Sequence, residues 1–281
     1  MRSLVMPGRD VVADYDICVE RAEEPRKQRL LAKRQVVIDL FEAYRLGSWH
    51  WALAQRHDEF FAVEELEDLL WTYDLTFSRR ALARVRAEAL LGAGRLCPYC
   101  LIEEPKTLDH FLPKSRFQAF ASHAPNLVPM CGRCNTLKGT KGSAVGEQFF
   151  THAYFDEIAK HQPFLIAQVA VGARSIATNF MIDFGADLAG SILNRLSYQF
   201  SILRLGARYQ REAVDVIRDQ AEKIEEMHAD RCSIEDIVFS VAEDAKAEAM
   251  SMGKSFWRAA LLKALAGNLE FCASAYNLAL R

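Results

Sequence analysis

Apolar residues in the first third of the chain recur every three or four positions, the spacing that gives a helix one apolar face. After Pro25, Leu30, Val37, Leu40, Phe41 and Tyr44 keep that spacing, and Gly47 is a suitable stop. The opposite side of this helix carries Arg26, Lys27, Arg29, Lys33 and Arg34. It reads as a solvated face rather than a nucleic-acid contact. Residues 1–24 are weakly patterned. Trp49, Trp51, Phe60, Phe61, Leu66, Leu69, Leu70 and Trp71 form an aromatic-rich stretch of core character. Ser78 is a good N-cap for a helix over Arg79 to Leu91, ended by Gly92 and Gly94. Arg79, Arg80, Arg84 and Arg86 make that helix basic and a candidate for phosphate contact.

Beyond residue 142, E-Q-F-F-T-H-A-Y-F-D-E-I-A-K reads as a helix or a turn and helix. The period then changes to two. Ile176, Thr178, Phe180, Ile182 and Phe184 alternate with Ala177, Asn179, Met181 and Asp183, which predicts a strand. With Gly172-Ala173 as the turn, a hairpin spans 163–184. Helical stripes resume with Leu188, Ile192, Leu193, Leu196, Phe200 and Leu203. Ser233 and Asp236 resemble a capping box opening a helix striped by Ile234, Ile237, Val238, Val241, Ala242 and Ala245. A last amphipathic run holds Phe256, Trp257, Leu261 and Leu265. The pattern predicts a mostly helical chain, α+β overall, in three parts: a helical region 1–93, a compact centre 94–150, and a mainly helical region 151–281 with the hairpin.

Composition changes this picture little. The chain has 281 residues, 51% hydrophobic and 26% charged, an ordinary globular balance. A net charge of −2 excludes a polycation, so any nucleic-acid surface must be local. No apolar run is long enough to span a bilayer, and the first residues lack the apolar stretch of a secretory signal. A cytoplasmic protein without membrane contact is expected. In that reducing compartment the seven cysteines are not expected to form disulfides. Cys18, Cys232 and Cys272 read as buried free thiols.

The chemistry concentrates between Arg95 and Gly142. Cys97-x-x-Cys100 and Cys131-x-x-Cys134 are separated by 30 residues, 101 through 130. Four soft sulfurs with no spare position suit a closed, structural Zn²⁺ site. Pro98 and Gly132 inside the pairs suit tight turns. Between the pairs, Asp109 and His110 end a short apolar segment, and neighbours on a strand point to opposite sides. Asp109 offers a hard oxygen for Mg²⁺ or Mn²⁺, and the amide of Asn135, directly after Cys134, offers a second. His110 can act as a base near neutral pH. Arg95, Lys106, Lys114, Arg116, Arg133, Lys138 and Lys141 oppose Glu103, Glu104 and Asp109 in this stretch, seven cations against three anions. Lys114, Arg133, Lys138 and Lys141 are candidate contacts to a phosphate backbone. Of the remaining histidines, His123 reads as a surface residue and His152 as a structural one capping the following helix.

The runs C-P-Y-C, L-D-H-F-L-P-K-S, N-L-V-P and C-G-R-C-N-T-L-K-G together resemble the HNH endonucleases, the zinc-knuckled branch of the ββα-metal superfamily. The resemblance covers Arg95 to Gly142 only. It implies a small ββα-metal core, phosphodiester hydrolysis of DNA leaving 5′-phosphate and 3′-hydroxyl ends, and a catalytic divalent ion beside the structural zinc. It implies His110 as the general base, Asn126 as the residue ordering the loop that orients it, and Asp109 with Asn135 as ligands of the catalytic Mg²⁺ or Mn²⁺. The third family letter is often His; Asn135 in its place favours an oxygen-loving ion. By analogy the setting is bacterial anti-phage defence, restriction or mobile elements. The flanking helices would serve a protein partner or a second copy. The competing reading is a non-catalytic zinc-ribbon module that binds nucleic acid or protein, which would need the cysteines but neither His110 nor Asn135.

Overall fold

The computed structural model describes residues 1–48, 60–141, 149–158 and 161–280; Trp49, Trp51 and Gly142 lie outside them. The chain forms two compact units. One spans Arg2–Glu157, and the other Ile158–Arg281 together with Met1. Both sides of the expected 93/94 division fall in the first unit.

In the first unit, Asp10 opens helix α1, Val11–Arg21, by accepting the N–H groups of Val12 and Ala13 at 3.0 Å each. Tyr15, Cys18, Val19 and Ala22 are its buried stripe. This helix lies within the weakly patterned residues 1–24. The single helix expected after Pro25 is two, α2 (Arg26–Ala32) and α3 (Arg34–Ala43), followed by a π-turn over Tyr44–Ser48. The break falls at Lys33, whose ammonium donates to the Phe60 carbonyl at 2.8 Å. The stripe itself holds: Leu30, Val37, Leu40, Phe41 and Tyr44 are all buried. The basic face does not simply face water. Arg26 and Arg29 clasp the buried Asp68 at 2.9 and 2.6 Å, Lys33 pairs with Glu65, and Arg34 with Asp16. Asp68 and Glu65 lie on α4, Val63–Thr72, so these pairs fasten α4 to α2.

A 3-10 turn, Tyr73–Thr76, leads toward α5, Ala83–Ala93. Ser78 does not cap this helix. Leu82, buried and donating its N–H to the Leu75 carbonyl at 2.8 Å, anchors a turn first, and the helix starts after it. Arg79 and Arg80 therefore lie in the turn, with Arg84 at the start of α5. Gly94, at φ +64°, ends α5, a backbone conformation that suits glycine. Strands β1 (Thr107–His110) and β2 (Leu127–Met130) pair antiparallel, with Thr107 opposite Met130 and His110 opposite Leu127. Helix α6, Gly132–Lys138, follows directly. Helix α5 packs on both strands over a core that includes Leu75, Leu82, Val85, Leu108, Ala121 and Leu127. No helix forms in 149–158. Phe150 and His152 are buried there, and the backbone is held by bonds such as Leu4 N–H to the Ala153 carbonyl at 2.7 Å.

In the second unit, β3 (Leu165–Val171) and β4 (Ile176–Ile182) form the expected hairpin. Its turn is longer than Gly172-Ala173: Gly172 N–H bonds the Ser175 carbonyl at 2.9 Å. Leu165, Ala167, Phe180 and Ile182 form its buried face. The helices are α7 (Gly190–Ile202), α8 (Leu205–Ala229), α9 (Ile234–Met252), α10 (Trp257–Ala266) and α11 (Leu269–Ala273). Helix α10 lies against β3, and its Trp257 stacks on Tyr209 of α8 with centroids 5.7 Å apart. The Ser233–Asp236 capping box forms, each residue bonding the other's backbone N–H. No helix among the described residues is long and apolar enough to cross a membrane.

Candidate functional site

Two tight turns bring the four paired cysteines together. Leu101, at φ +54°, folds the first pair back, with its N–H on the Cys97 carbonyl at 2.9 Å. Cys131 caps α6, its sulfur accepting the Cys134 N–H at 3.4 Å. All four sulfurs are buried and lie within 4.8 Å of one another, Cys100 and Cys131 at 3.8 Å. A tetrahedral ion with bonds of about 2.3 Å needs sulfurs roughly 3.8 Å apart, so the group can hold a metal such as zinc. Burial pushes the Cys97 thiol well above its ordinary value, while hydrogen bonds from the neighbouring thiols favour thiolate at Cys100. A bound cation would let all four ionise.

The alternation of β1 sends Asp109 and His110 to opposite sides, as expected. Asp109 and Thr107 share the side that meets α6, where Asn135 and Lys138 lie one turn apart. Asn135 Nδ2 donates to Thr107 Oγ1 at 3.1 Å. Asp109 Oδ2 lies 2.7 Å from Lys138 Nζ, an ion pair whose angles fall outside hydrogen-bond geometry. Lys138 is 1% exposed and also donates to the His110 carbonyl at 2.9 Å. It is therefore no contact for a phosphate backbone. Its charge is committed inside the unit, and the residue of α6 paired with Asp109 is Lys138, while Asn135 bonds Thr107. Burial raises the Asp109 carboxyl to about 6 against the pull of Lys138.

A hard-oxygen ion fits these residues in part. Asp109 presents a buried oxygen without a hydrogen bond, and Asn135 keeps its amide oxygen free of protein partners among the described residues. Lys138 competes with any such ion for Asp109 Oδ2.

His110 points to the other side. Its Nε2 lies 2.9 Å from the Ala121 carbonyl, so Nε2 carries the proton and Nδ1 the lone pair. The Tyr73 ring packs edge-on against it at 4.5 Å, and Lys114 Nζ sits 4.3 Å from the centre of the same ring. Burial pushes the His110 imidazole down to about 3; the Ala121 bond opposes this, and Lys114, Lys138 and Arg86 add to it. The ring is neutral at physiological pH.

Asn126 holds the segment that positions Ala121. Its Oδ1 accepts Leu112 N–H at 2.8 Å and the Tyr44 hydroxyl at 3.1 Å. Its Nδ2 donates to the Leu112 and Phe120 carbonyls, both at 3.1 Å. All four bonds an amide side chain can make are used. The chain of donors continues outward. His152 Nδ1 accepts Tyr154 N–H at 3.1 Å, which leaves Nε2–H for the Tyr44 oxygen at 3.0 Å, and Tyr44 donates onward to Asn126. His152 is thus structural, as read, through this network rather than through a helix cap. His123 is not on the surface. It is buried, stacked on Phe41 at 4.1 Å, with neither ring nitrogen hydrogen-bonded.

Lys114, Arg133 and Lys141 are exposed, as a backbone contact requires. Sequence reasoning missed Tyr44, taken only as a member of an apolar stripe, and Tyr73. No local signal marks either as a neighbour of Asn126 or His110.

Comparison with protein families finds no match, and no solved structure matches. Among curated proteins, Protein ea31 of Escherichia phage lambda is 32% identical over 131 residues, which cover 45% of this chain and 43% of that protein. The chain thus matches less than half the length of that relative.

Proposed function

We propose that this chain is a metal-dependent HNH-type endonuclease that hydrolyses phosphodiester bonds of DNA. The observation that carries the reading is the posture of His110: a neutral imidazole with Nε2–H fixed on the Ala121 carbonyl and Nδ1 left as acceptor. A general base needs this tautomer. His110 Nδ1 takes the proton of the attacking water, and the Ala121 carbonyl stabilises the imidazolium that forms. A nearby phosphate would offset the repulsion from Lys114 and Arg86 and raise the basicity of the ring. Asn126 keeps Phe120 and Leu112, and hence Ala121, in place. Lys114, Arg133 and Lys141 draw in the DNA backbone. Asp109 and Asn135 would hold Mg²⁺ or Mn²⁺, which supplies positive charge at the scissile phosphate. The four cysteines would hold a structural Zn²⁺, whose binding contributes folding energy. The similar phage protein suits a setting among phages, mobile elements or the defences against them.

One observation favours the competing reading, a non-catalytic zinc-ribbon binding module. The Lys138 ammonium already neutralises Asp109. Incubating the zinc-loaded chain with supercoiled plasmid and Mg²⁺ or Mn²⁺ separates the two. An endonuclease nicks the plasmid, stops on chelation of the added ion, and loses activity in His110→Ala with zinc content unchanged. A chain that binds DNA but never nicks it is the module. Nicking that survives in His110→Ala removes His110 as the base.

A further inference from the structure

A cleft of about 620 Å³ in the first unit is walled by Arg21, Arg26, Arg79 and Arg80, with Glu23 the one acidic residue on its lining. Several other arginines of this unit are held by acids: Arg9 by Asp14, Arg29 by Asp68, Arg34 by Asp16. Among the described residues Arg21, Arg79 and Arg80 have no acidic partner, so their charge is available to a ligand. Their placement is built into the fold. Arg79 sits at φ +66°, a left-handed backbone that costs any residue with a Cβ some energy and persists only where its surroundings impose it. The buried Leu82 just beyond it pins the turn to Leu75.

The wall also carries an aromatic surface. Trp71 lines the cleft, and the Arg26 guanidinium lies 4.6 Å from its ring centre, fixed there by Asp68. Guanidinium groups beside an indole suit a chain of phosphates with bases able to stack. One short turn meets both the cleft and His110. The turn Tyr73–Thr76 presents Leu75 to the cleft and Tyr73 to the His110 ring, with Arg86 bonded to the Tyr73 hydroxyl at 3.0 Å.

We propose that this arginine cleft binds the phosphate backbone of a nucleic-acid strand and guides it toward His110. The identity of the polyanion rests on the nuclease reading above; the cleft itself does not. The test is the fluorescence anisotropy of labelled 20-nucleotide single-stranded and 20-base-pair duplex DNA with the full, zinc-loaded chain, without Mg²⁺ or Mn²⁺, over a range of salt. Replacing Arg79 and Arg80 together by Ala should weaken binding about tenfold or more and flatten the salt dependence by about one to two counterions. Arg79→Gly relieves the backbone strain, so it should fold at least as well as the parent and still bind several-fold more weakly. Lys27→Ala, outside the cleft, should bind as the parent does. Unchanged affinity and salt slope in the double variant would overturn the proposal, as would a parent chain that binds neither DNA. Binding that depends on the arginines in a chain that never nicks plasmid would support the cleft and overturn the nuclease. Nicking with arginine-independent binding would do the reverse.

Discussion

The Tyr44 hydroxyl donates to Asn126 Oδ1 across 82 positions of sequence, at 3.1 Å and in full burial. It is the hinge of a proton-ordered chain from Tyr154 N–H through His152 and Tyr44 to Asn126. Tyr44→Phe removes one link and leaves His152 Nε2–H without its acceptor. Leaving a buried donor unmet costs about 1–3 kcal/mol, so urea unfolding should show a loss in that range. In the proposed nuclease the nicking rate should fall while DNA affinity holds, because the lost bond orients the base and touches no phosphate. Equal stability in the variant and the parent would show the chain to be energetically idle.

Asn126→Ala should be harsher. It strips four bonds at once and strands the Leu112 N–H and two carbonyls in the interior. A loss on the order of 3–5 kcal/mol is expected. Asn126→Asp turns a carboxylate oxygen onto the Leu112 and Phe120 carbonyls in full burial, so at neutral pH it should be at least as unstable as Asn126→Ala and recover in part as pH falls and the carboxyl protonates. Parent-like stability of either variant at pH 7 would contradict the bond assignment.

What the sequence made legible was local. The Ser233–Asp236 box, the strand alternation around Phe180, and the paired cysteines act over a few residues, and each appears where the pattern put it. Helix α1 is legible as well: Asp10 and the spacing of Tyr15, Cys18, Val19 and Ala22 carry its signal, although its apolar stripe is short. The start of α5 was not, because the burial of Leu82 and its bond to Leu75 decide it rather than the capping strength of Ser78. At the candidate site, the charge of Lys138 could be counted from sequence. That it would be buried against Asp109 depends on how α6 packs on β1.

Cys131→Ser removes one sulfur from the four, while its hydroxyl can still accept the Cys134 N–H and keep the N-cap of α6. Zinc content, read by a colorimetric chelator after unfolding, should drop, and the thermal midpoint with it, because metal binding here contributes to folding. Titrating zinc into the parent should raise the midpoint far more than in the variant. Full zinc content in Cys131→Ser would exclude the four-cysteine set.

Lys138→Met keeps the length of the side chain and deletes its charge. Asp109 is left buried without its cation, a change that costs about 3–5 kcal/mol when the carboxylate stays ionised. Mn²⁺ should then stabilise Lys138→Met more than the parent, because the ion no longer competes with an ammonium for Asp109 Oδ2. The comparison is of thermal midpoints with and without Mn²⁺. An equal rise in both proteins would mean that Asp109 does not bind the ion.

His123 makes acid the weak flank of the first unit. It is buried with both nitrogens unbonded, and burial pushes its imidazole down to about 3, against about 6.5 in an unfolded chain. Below pH about 6.5 the unfolded chain takes up a proton that the folded one refuses until about 3. Stability therefore falls as pH drops through that window, by up to about 1.4 kcal/mol per unit, and the loss is complete near pH 3. His110, also held near 3, adds to the slope, while Asp109, raised to about 6, opposes it between about 6 and 4. His123→Phe deletes one contribution and leaves the others. The phenyl ring keeps the stack on Phe41, so stability at pH 7 should be unchanged or slightly higher. The difference between variant and parent should widen steadily from pH 6.5 down to about pH 4. Chemical denaturation at intervals of half a pH unit measures it, and parallel curves would show that His123 keeps an ordinary pKa in the folded chain.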